Sequence, residues 1–290
     1  MKFAKMQGAG NDFLLVETSD EGRDWGALAQ AMCERHYGAG ADGLMLVLPP
    51  RAADVRMRLF NADGSEAEVS GNGVRCLVKY VIERGLARPR DGRLRVEAAS
   101  GLLEAEVFGE GGQAVPAGRQ VERVRLSMGA PRFAPAEVPV LAEAEPPVID
   151  LPLEVDGQKL AVTCLSMGNP HAVLFIESPV GEYPLETIGP KVEHHPAFPA
   201  RVNFGVGRML GRERMELRVW ERGVGETLAC GSGSSAAMVA ARLKGLAGDR
   251  VDITQPGGVL SVEWDGRGEV YLTGGAEFVF EGDWPGPEDE

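Results

Sequence analysis

Histidine, cysteine and positive charge are scarce in this chain. It has four histidines and four cysteines in 290 residues, and its 43 acidic side chains outnumber 30 basic ones, for a formal net charge of −13. That deficit argues against a nucleic-acid or anionic-membrane partner. Cys33, Cys76, Cys164 and Cys230 are far apart, with no C-x-x-C pair and no histidine at metal-ligand spacing. Neither a metal site nor a disulfide framework is expected. Long hydrophobic runs are missing too. The opening Met1-Lys2-Phe3-Ala4-Lys5-Met6-Gln7 passes straight into a glycine-rich motif, without a signal-peptide core or a membrane-spanning run. A cytoplasmic, reducing location is expected.

Glycine, by contrast, is abundant, and it marks a duplication. Glu66-Ala67-Glu68-Val69-Ser70-Gly71-Asn72-Gly73 and Glu226-Thr227-Leu228-Ala229-Cys230-Gly231-Ser232-Gly233 read as copies, each leading into an apolar run. Gly10-Asn11 before Phe13-Leu14-Leu15-Val16-Glu17 matches Gly168-Asn169 before Val173-Leu174-Phe175-Ile176-Glu177. Val55-Arg56-Met57-Arg58-Leu59-Phe60 matches Met215-Glu216-Leu217-Arg218-Val219-Trp220, and Gly101-Leu102-Leu103 matches Gly258-Val259-Leu260. The offset stays between 157 and 160 residues in one order, which chance similarity would not keep. Two structural copies follow, with the first domain at 1–117 plus 276–290 and the second at 118–275.

Within each copy the runs alternate with period two, which predicts half-buried strands. Residues 93–98 with 103–107, and 251–254 with 259–264, read as hairpins. Residues 74–83 and 234–243 are apolar on most faces and belong inside. Outer helices are expected at 25–37 and 185–192. Residues 109–120 read as a linker, 134–147 as a surface excursion, 178–199 as an irregular loop with a short helix, and 283–290 as a fraying tail. The strand at 276–281 crosses back to complete the first copy. The fold class is α/β (α+β): two pseudo-symmetric domains, each a mixed sheet or barrel curled around a central helix. The glycine pattern from Gly38 to Gly43 resembles a dinucleotide motif but follows a helix and opens a strand. That polarity is wrong, so Gly38 is read as a helix C-cap.

Cys230 sits before G-S-G and an apolar helix. A helix start lowers a thiol's pKa from about 8.5 toward ~3.5–7.5, suiting it as nucleophile or base. Ser70 holds the equivalent place, but a helix dipole does not ionise a hydroxyl, and an N-cap role is the plainer reading. Cys76 falls inside the helix. Asn11, Asn61, Asn72, Asn169 and Asn203 recur beside glycines or at strand ends, which suggests a pocket for carboxylate and ammonium groups. Glu221-Arg222 adds one charge of each sign, suited to an amino-acid head group.

These motifs together resemble the diaminopimelate epimerase family over nearly the whole chain: Gly8-Ala9-Gly10-Asn11-Asp12-Phe13, Asn61-Ala62-Asp63-Gly64-Ser65-Glu66, Gly71-Asn72-Gly73-Val74-Arg75, Gly168-Asn169-Pro170-His171, Arg201-Val202-Asn203 and Glu221-Arg222-Gly223-Val224-Gly225-Glu226-Thr227 through Gly233. The resemblance implies an active site in the interdomain cleft, with two cysteines flanking the substrate α-carbon. One takes a proton and the other delivers one, without pyridoxal phosphate, metal or other cofactor. It implies Asn11, Asn61, Asn169 and Asn203 as substrate ligands, with Gly71-Asn72 and Gly231-Ser232 cradling a carboxylate. His171 and Glu221 would tune the acid–base pair, and the assembly would be a homodimer. Ser70 departs from the pattern, which has cysteine there. An engineered change, a natural homologue of altered rate, and a different outcome such as one-sided exchange or elimination all stay open. So do a one-base racemase or dehydratase on another amino acid and a non-catalytic amino-acid-binding homologue.

Overall fold

The computed structural model describes residues 1–285 except 69, 114, 117 and 143. The fraying expected of 286–290, and the expectations for the linker at 114 and 117 and for the excursion at 143, lie outside the described residues. The chain divides into two compact units, Met1–Leu126 with Gly274–Glu290, and Ser127–Thr273.

The first unit runs β1 (Lys2–Gly8), β2 (Asn11–Glu17), α1 (Trp25–Cys33), β3 (Gly43–Leu48), β4 (Val55–Asn61), β5 (Glu66–Ala67), α2 (Gly71–Glu83), β6 (Arg93–Ala98), β7 (Gly101–Phe108) and β8 (Arg123–Ser127). The second runs β9 (Val148–Val155), β10 (Gln158–Ser166), β11 (Pro170–Phe175), α3 (Leu185–Glu193), β12 (Asn203–Met209), β13 (Arg214–Glu221), β14 (Gly225–Thr227), α4 (Gly231–Leu243), β15 (Arg250–Gln255), β16 (Gly258–Glu263) and β17 (Tyr271–Gly274). A last strand, β18 (Glu277–Asp283), pairs antiparallel with β1.

Strand order in the first unit is β18-β1-β2-β3-β4-β6-β7-β8, with β5 on β4. In the second it is β9-β10-β11-β12-β13-β15-β16-β17, with β14 on β13. Among the described residues only β2–β3 and β4–β6 are parallel in the first, and only their counterparts β11–β12 and β13–β15 in the second. The pairing pattern is therefore the same in both units, except that the first takes its outermost strand from the end of the chain. Even an ion pair repeats: Arg58 forks onto Glu66 at 2.6 and 2.8 Å, and Arg218 onto Glu226 at 2.7 and 2.7 Å.

The core of the first unit forms around α2. Val74, Leu77, Val78, Val81 and Ile82 meet Met6, Phe13, Met45, Met57, Leu94 and Val124 in one buried cluster, so the sheet is wrapped on this helix. Each such side chain contributes roughly 1.5–3 kcal/mol by leaving water. In the second unit α4 packs against β10, β11, β12 and β16, with Ala236 through Ala241 fully buried.

Several sequence expectations are corrected. β2 and β3 are buried on both faces, not one. Phe13, Leu15, Met45 and Val47 face α2, while Leu14, Val16, Leu44 and Leu46 face Trp25, Ala29 and Met32 of α1. The helix α1 ends at Cys33 rather than Tyr37, because the Glu34 carboxylate takes the His36 and Tyr37 backbone N–H groups and turns the chain. Its C-cap is Glu34, not Gly38. Gly38 answers a different need: a Cβ there would lie 2.4 Å from the Ala31 carbonyl oxygen. The stretch 134–147 is not merely a surface excursion, since Val138 and Val140 join the core of the second unit.

Candidate functional site

The two G-x-G segments are not turns that precede a helix, as their glycines suggest. They are the first turns of α2 and α4, which begin at Gly71 and Gly231. The residue before each is the N-cap, in extended conformation, and its side chain accepts from the third residue of the helix. Ser70 Oγ accepts from the Gly73 N–H at 3.2 Å, and Cys230 Sγ from the Gly233 N–H at 3.3 Å. These side chains satisfy one orphan donor of the helix end. Close approach favours glycine at the third place, most firmly at Gly233, where the neighbour is a short branched side chain. A Cβ on Gly73 would meet Met45 at 2.8 Å, and one on Gly233 would meet Val219 at 2.9 Å.

Around Cys230 the second unit gathers polar groups. Ser232 Oγ lies 3.5 Å from its sulfur, Asn169 Nδ2 donates to Ser232 Oγ at 3.3 Å, and His171 Nε2 lies 2.9 Å from Asn169 Oδ1. Asn203, paired with His171 in the β11–β12 register, donates from Nδ2 to the Pro170 carbonyl at 2.8 Å and accepts the Arg222 N–H at 2.9 Å. Glu221 accepts from Thr227 Oγ1 at 2.6 Å. Arg222 is held by the Ala200 carbonyl at 3.0 Å. Cys230, Ser232, Asn169, His171, Asn203, Glu221 and Arg222 are thus brought into one group.

The electrostatics reverse one expectation. The Cys230 thiol is raised above its ordinary range, not lowered. Burial is the largest cause, the Glu221 carboxylate beside it the next, and the hydrogen bonds from Ser232 and Gly233 oppose them. The helix start acts in the expected direction but is outweighed. Burial, and then the Arg222 charge, hold the His171 imidazole down at about 3. It is neutral at pH 7, so Nε2–H donates to Asn169.

In the first unit the corresponding group is Ser70, Gly71, Asn72 and Asn11. Arg75 Nη2 donates to Asn72 Oδ1 at 2.9 Å, Asn72 Nδ2 to Asn11 Oδ1 at 3.2 Å, and Asn11 Nδ2 to Asp42 Oδ2 at 2.5 Å. A guanidinium can only donate and a carboxylate can only accept, so both amides are oriented from their ends. Among the described residues each Nδ2 makes one of its two possible hydrogen bonds, and a second hydrogen suits an anion. Asn61, which closes β4, donates from Nδ2 to Ser65 Oγ at 3.0 Å.

Three residues that the sequence reading did not single out as site residues also hold these groups: Asp42, Arg75 and Gln255, whose Oε1 accepts the Cys230 backbone N–H. Asp42 lay inside the rejected glycine motif. Arg75 was visible as a charge in an apolar helix, beside Cys76, whose thiol burial pushes up to about 12. Gln255, just before Pro256-Gly257-Gly258, gave no periodic signal. Among the described residues no cluster of three or more His, Cys, Asp or Glu is placed to hold a metal ion, and no helix is long and apolar enough to cross a membrane.

Comparison with known proteins places the whole chain. The family described as diaminopimelate epimerase matches residues 3–133 and 163–279. The diaminopimelate epimerase of Moorella thermoacetica is 46% identical over 288 residues, covering 98% of this chain and 99% of that protein. That of Pelotomaculum thermopropionicum is 45% identical over 289 residues, with 98% and 99% covered. Among solved structures, a probable proline racemase from Agrobacterium radiobacter superposes with a TM-score of 0.68 at 15% identity, over 98% of this chain and 92% of that one. A hydroxyproline epimerase from Agrobacterium vitis gives 0.67 at 16%, over 97% and 91%. The structural likenesses show a shared fold. The sequence matches go further: this chain belongs to the diaminopimelate epimerase family and is an isomerase.

Proposed function

We propose that the chain acts at the α-carbon of diaminopimelate, interconverting the LL and meso isomers by proton transfer, with Cys230 as the main proton-carrying group. The observation that carries this is the capped thiol: Cys230 Sγ is fixed by the Gly233 N–H and faces the Glu221 carboxylate. In the free protein the proton rests on sulfur. An ammonium group bound beside Glu221 would offset the second-largest cause of the raised thiol and so make the thiolate easier to form with substrate in place. Among the described residues Asn11, Asn72, Asn169 and Asn203 each use one amide hydrogen, which leaves a second for substrate. Together with the N–H groups at Gly71-Asn72 and Gly231-Ser232 they suit carboxylates. The chemistry proposed uses side chains alone.

In this reading Ser70 serves the opposite face of the α-carbon, and turnover is impaired there. A hydroxyl neither stores nor releases a proton at the pKa the reaction needs. A one-sided reading has specific support. Strand register equates Phe13 with His171, two residues away from the Val173 that the sequence pattern matched to it, Asn61 with Glu221, and Ser70 with Cys230. The Ser70 half therefore has no ionisable side chain of the Asp/Glu, His or Cys kind at any of the three places where the Cys230 half has one. A cytoplasmic homodimer belongs to the same proposal, and sedimentation velocity tests the dimer.

The deciding experiment is α-proton exchange in D₂O with each stereoisomer of diaminopimelate. Exchange that depends on Cys230 and differs strongly between isomers is expected. No Cys230-dependent exchange with any isomer would remove the assignment.

A further inference from the structure

We infer that Gln255 is a positioning residue for Cys230, a side-chain clamp that one half of the duplicated fold has and the other lacks. Gln255 ends β15 and is 4% exposed. Its Oε1 accepts the Cys230 backbone N–H at 3.0 Å, and its Nε2 donates to Ser234 Oγ at 2.8 Å, both in the interior. One side chain thus ties the N-cap of α4 to the helix's first turn from below.

The other half shows what the clamp adds. In both copies the hairpin turn bonds the residue two before the cap: Ser100 N–H to the Glu68 carbonyl at 3.3 Å, and Gly257 N–H to the Leu228 carbonyl at 2.8 Å. The residue facing the hairpin glycine is Ala98 opposite Gly101 in the first unit and Gln255 opposite Gly258 in the second. Alanine has no polar atom to offer. The backbone bracing is common to both halves, while the side-chain bracing belongs to the half with the thiol.

The geometry gives the clamp a function. With its own N–H turned inward to Gln255, Cys230 presents only its sulfur outward, and that sulfur is held by Gly233. A proton transfer to carbon tolerates little displacement of the sulfur, since misplacement of a reacting atom by an ångström costs on the order of a hundredfold in rate. Gln255 touches no substrate in this account; it acts through Cys230. The inference rests on the reading of Cys230 as the proton carrier.

Three variants test it: Gln255→Leu, which removes both bonds; Gln255→Glu, which keeps an acceptor for the Cys230 N–H; and Ser234→Ala, which removes only the outer anchor. Two readouts are taken, α-proton exchange with diaminopimelate and the pH profile of Cys230 alkylation by iodoacetamide, followed by peptide mass. Gln255→Leu is expected to lower kcat for exchange about tenfold or more with KM within about twofold, and to speed alkylation by loosening the corner. Gln255→Glu is expected to recover most of the exchange while moving alkylation to higher pH, because it adds a negative charge near the thiol. Ser234→Ala is expected to fall between wild type and Gln255→Leu in both readouts.

Wild-type exchange and alkylation in Gln255→Leu, or in Ser234→Ala should the leucine variant not fold, would overturn the inference. So would a loss with leucine that glutamate does not restore. If the wild-type protein exchanges no isomer, the functional reading fails. The alkylation profiles still decide the clamp.

Discussion

Asn61 and Glu221 occupy the same place in the two copies, each closing the strand whose preceding residue, Phe60 or Trp220, pairs with Glu66 or Glu226. One is neutral and bonded to Ser65; the other is a carboxylate that raises the Cys230 thiol. The fold therefore supplies two equivalent corners, and single side chains set their different chemistry.

Glu221→Gln tests that division. Removing the carboxylate takes away the second-largest cause of the raised thiol, so Cys230 should ionise at lower pH than in the wild type. Alkylation would shift toward acid. Exchange with diaminopimelate should nevertheless fall by about 10²–10⁴, the usual range for losing a group that assists proton transfer. An unmoved alkylation profile would mean that the carboxylate does not sense the thiol.

The His171 imidazole makes a stability prediction. Its pKa is held at about 3 against an ordinary 6.5. A folded-state pKa depressed in this way contributes stability that is fully present above pH 6.5 and is lost as pH falls toward 3, because the unfolded chain binds the proton more readily. His171→Gln keeps a donor for Asn169 and removes the titration. The variant should lose less stability than wild type between pH 6.5 and 3, by on the order of a few kcal/mol at the acid end. Urea melts at stepped pH measure this. Parallel loss in both proteins would refute it.

Part of this arrangement was legible in the chain. The single offset linking Arg58-Glu66 to Arg218-Glu226, and Ser70 to Cys230, announced a duplicated sheet around two buried helices, because backbone periodicity and glycine placement are local properties. The site's electrostatics were not. Glu221 lies nine residues before Cys230, and only the β13–β14 hairpin brings it back beside the thiol. Helix-start chemistry alone pointed to a lowered pKa, and burial, a tertiary quantity, reversed it. The end of α1 was hidden for a similar reason. Residues 34–37 contain no glycine or proline, and the stop comes from a carboxylate folding back on its own backbone.

Ser70→Cys addresses the other corner. A thiol there would cap α2 through the same Gly73 N–H and could exchange a proton at a pKa near that of Cys230. Epimerisation, read as inversion with deuterium uptake, is expected to rise by about two orders of magnitude or more, with exchange becoming similar for the two isomers. An unchanged rate would show that position 70 neither gives nor takes the proton.

Arg75 supplies the last test. Its guanidinium is fully buried; Nε donates to the Gly275 carbonyl at 3.1 Å and Nη2 to Asn72, while Nη1 has no hydrogen-bond partner among the described residues. Burial lowers its pKa to about 10, which leaves it charged at neutral pH. A buried charge with an unmet donor bears a desolvation cost that an apolar side chain avoids, which offsets the bonds lost to Asn72 and Gly275. The guanidinium orients Asn72, and through it Asn11, and under the proposed function those amides bind a substrate carboxylate. Arg75→Met should therefore leave the melting temperature unchanged or raised, while weakening diaminopimelate binding by about tenfold, the worth of roughly one well-made hydrogen bond. Differential scanning calorimetry and calorimetric titration give the two numbers. A lowered melting temperature with intact affinity would make Arg75 a core element and leave Asn72 oriented by Asp42 alone.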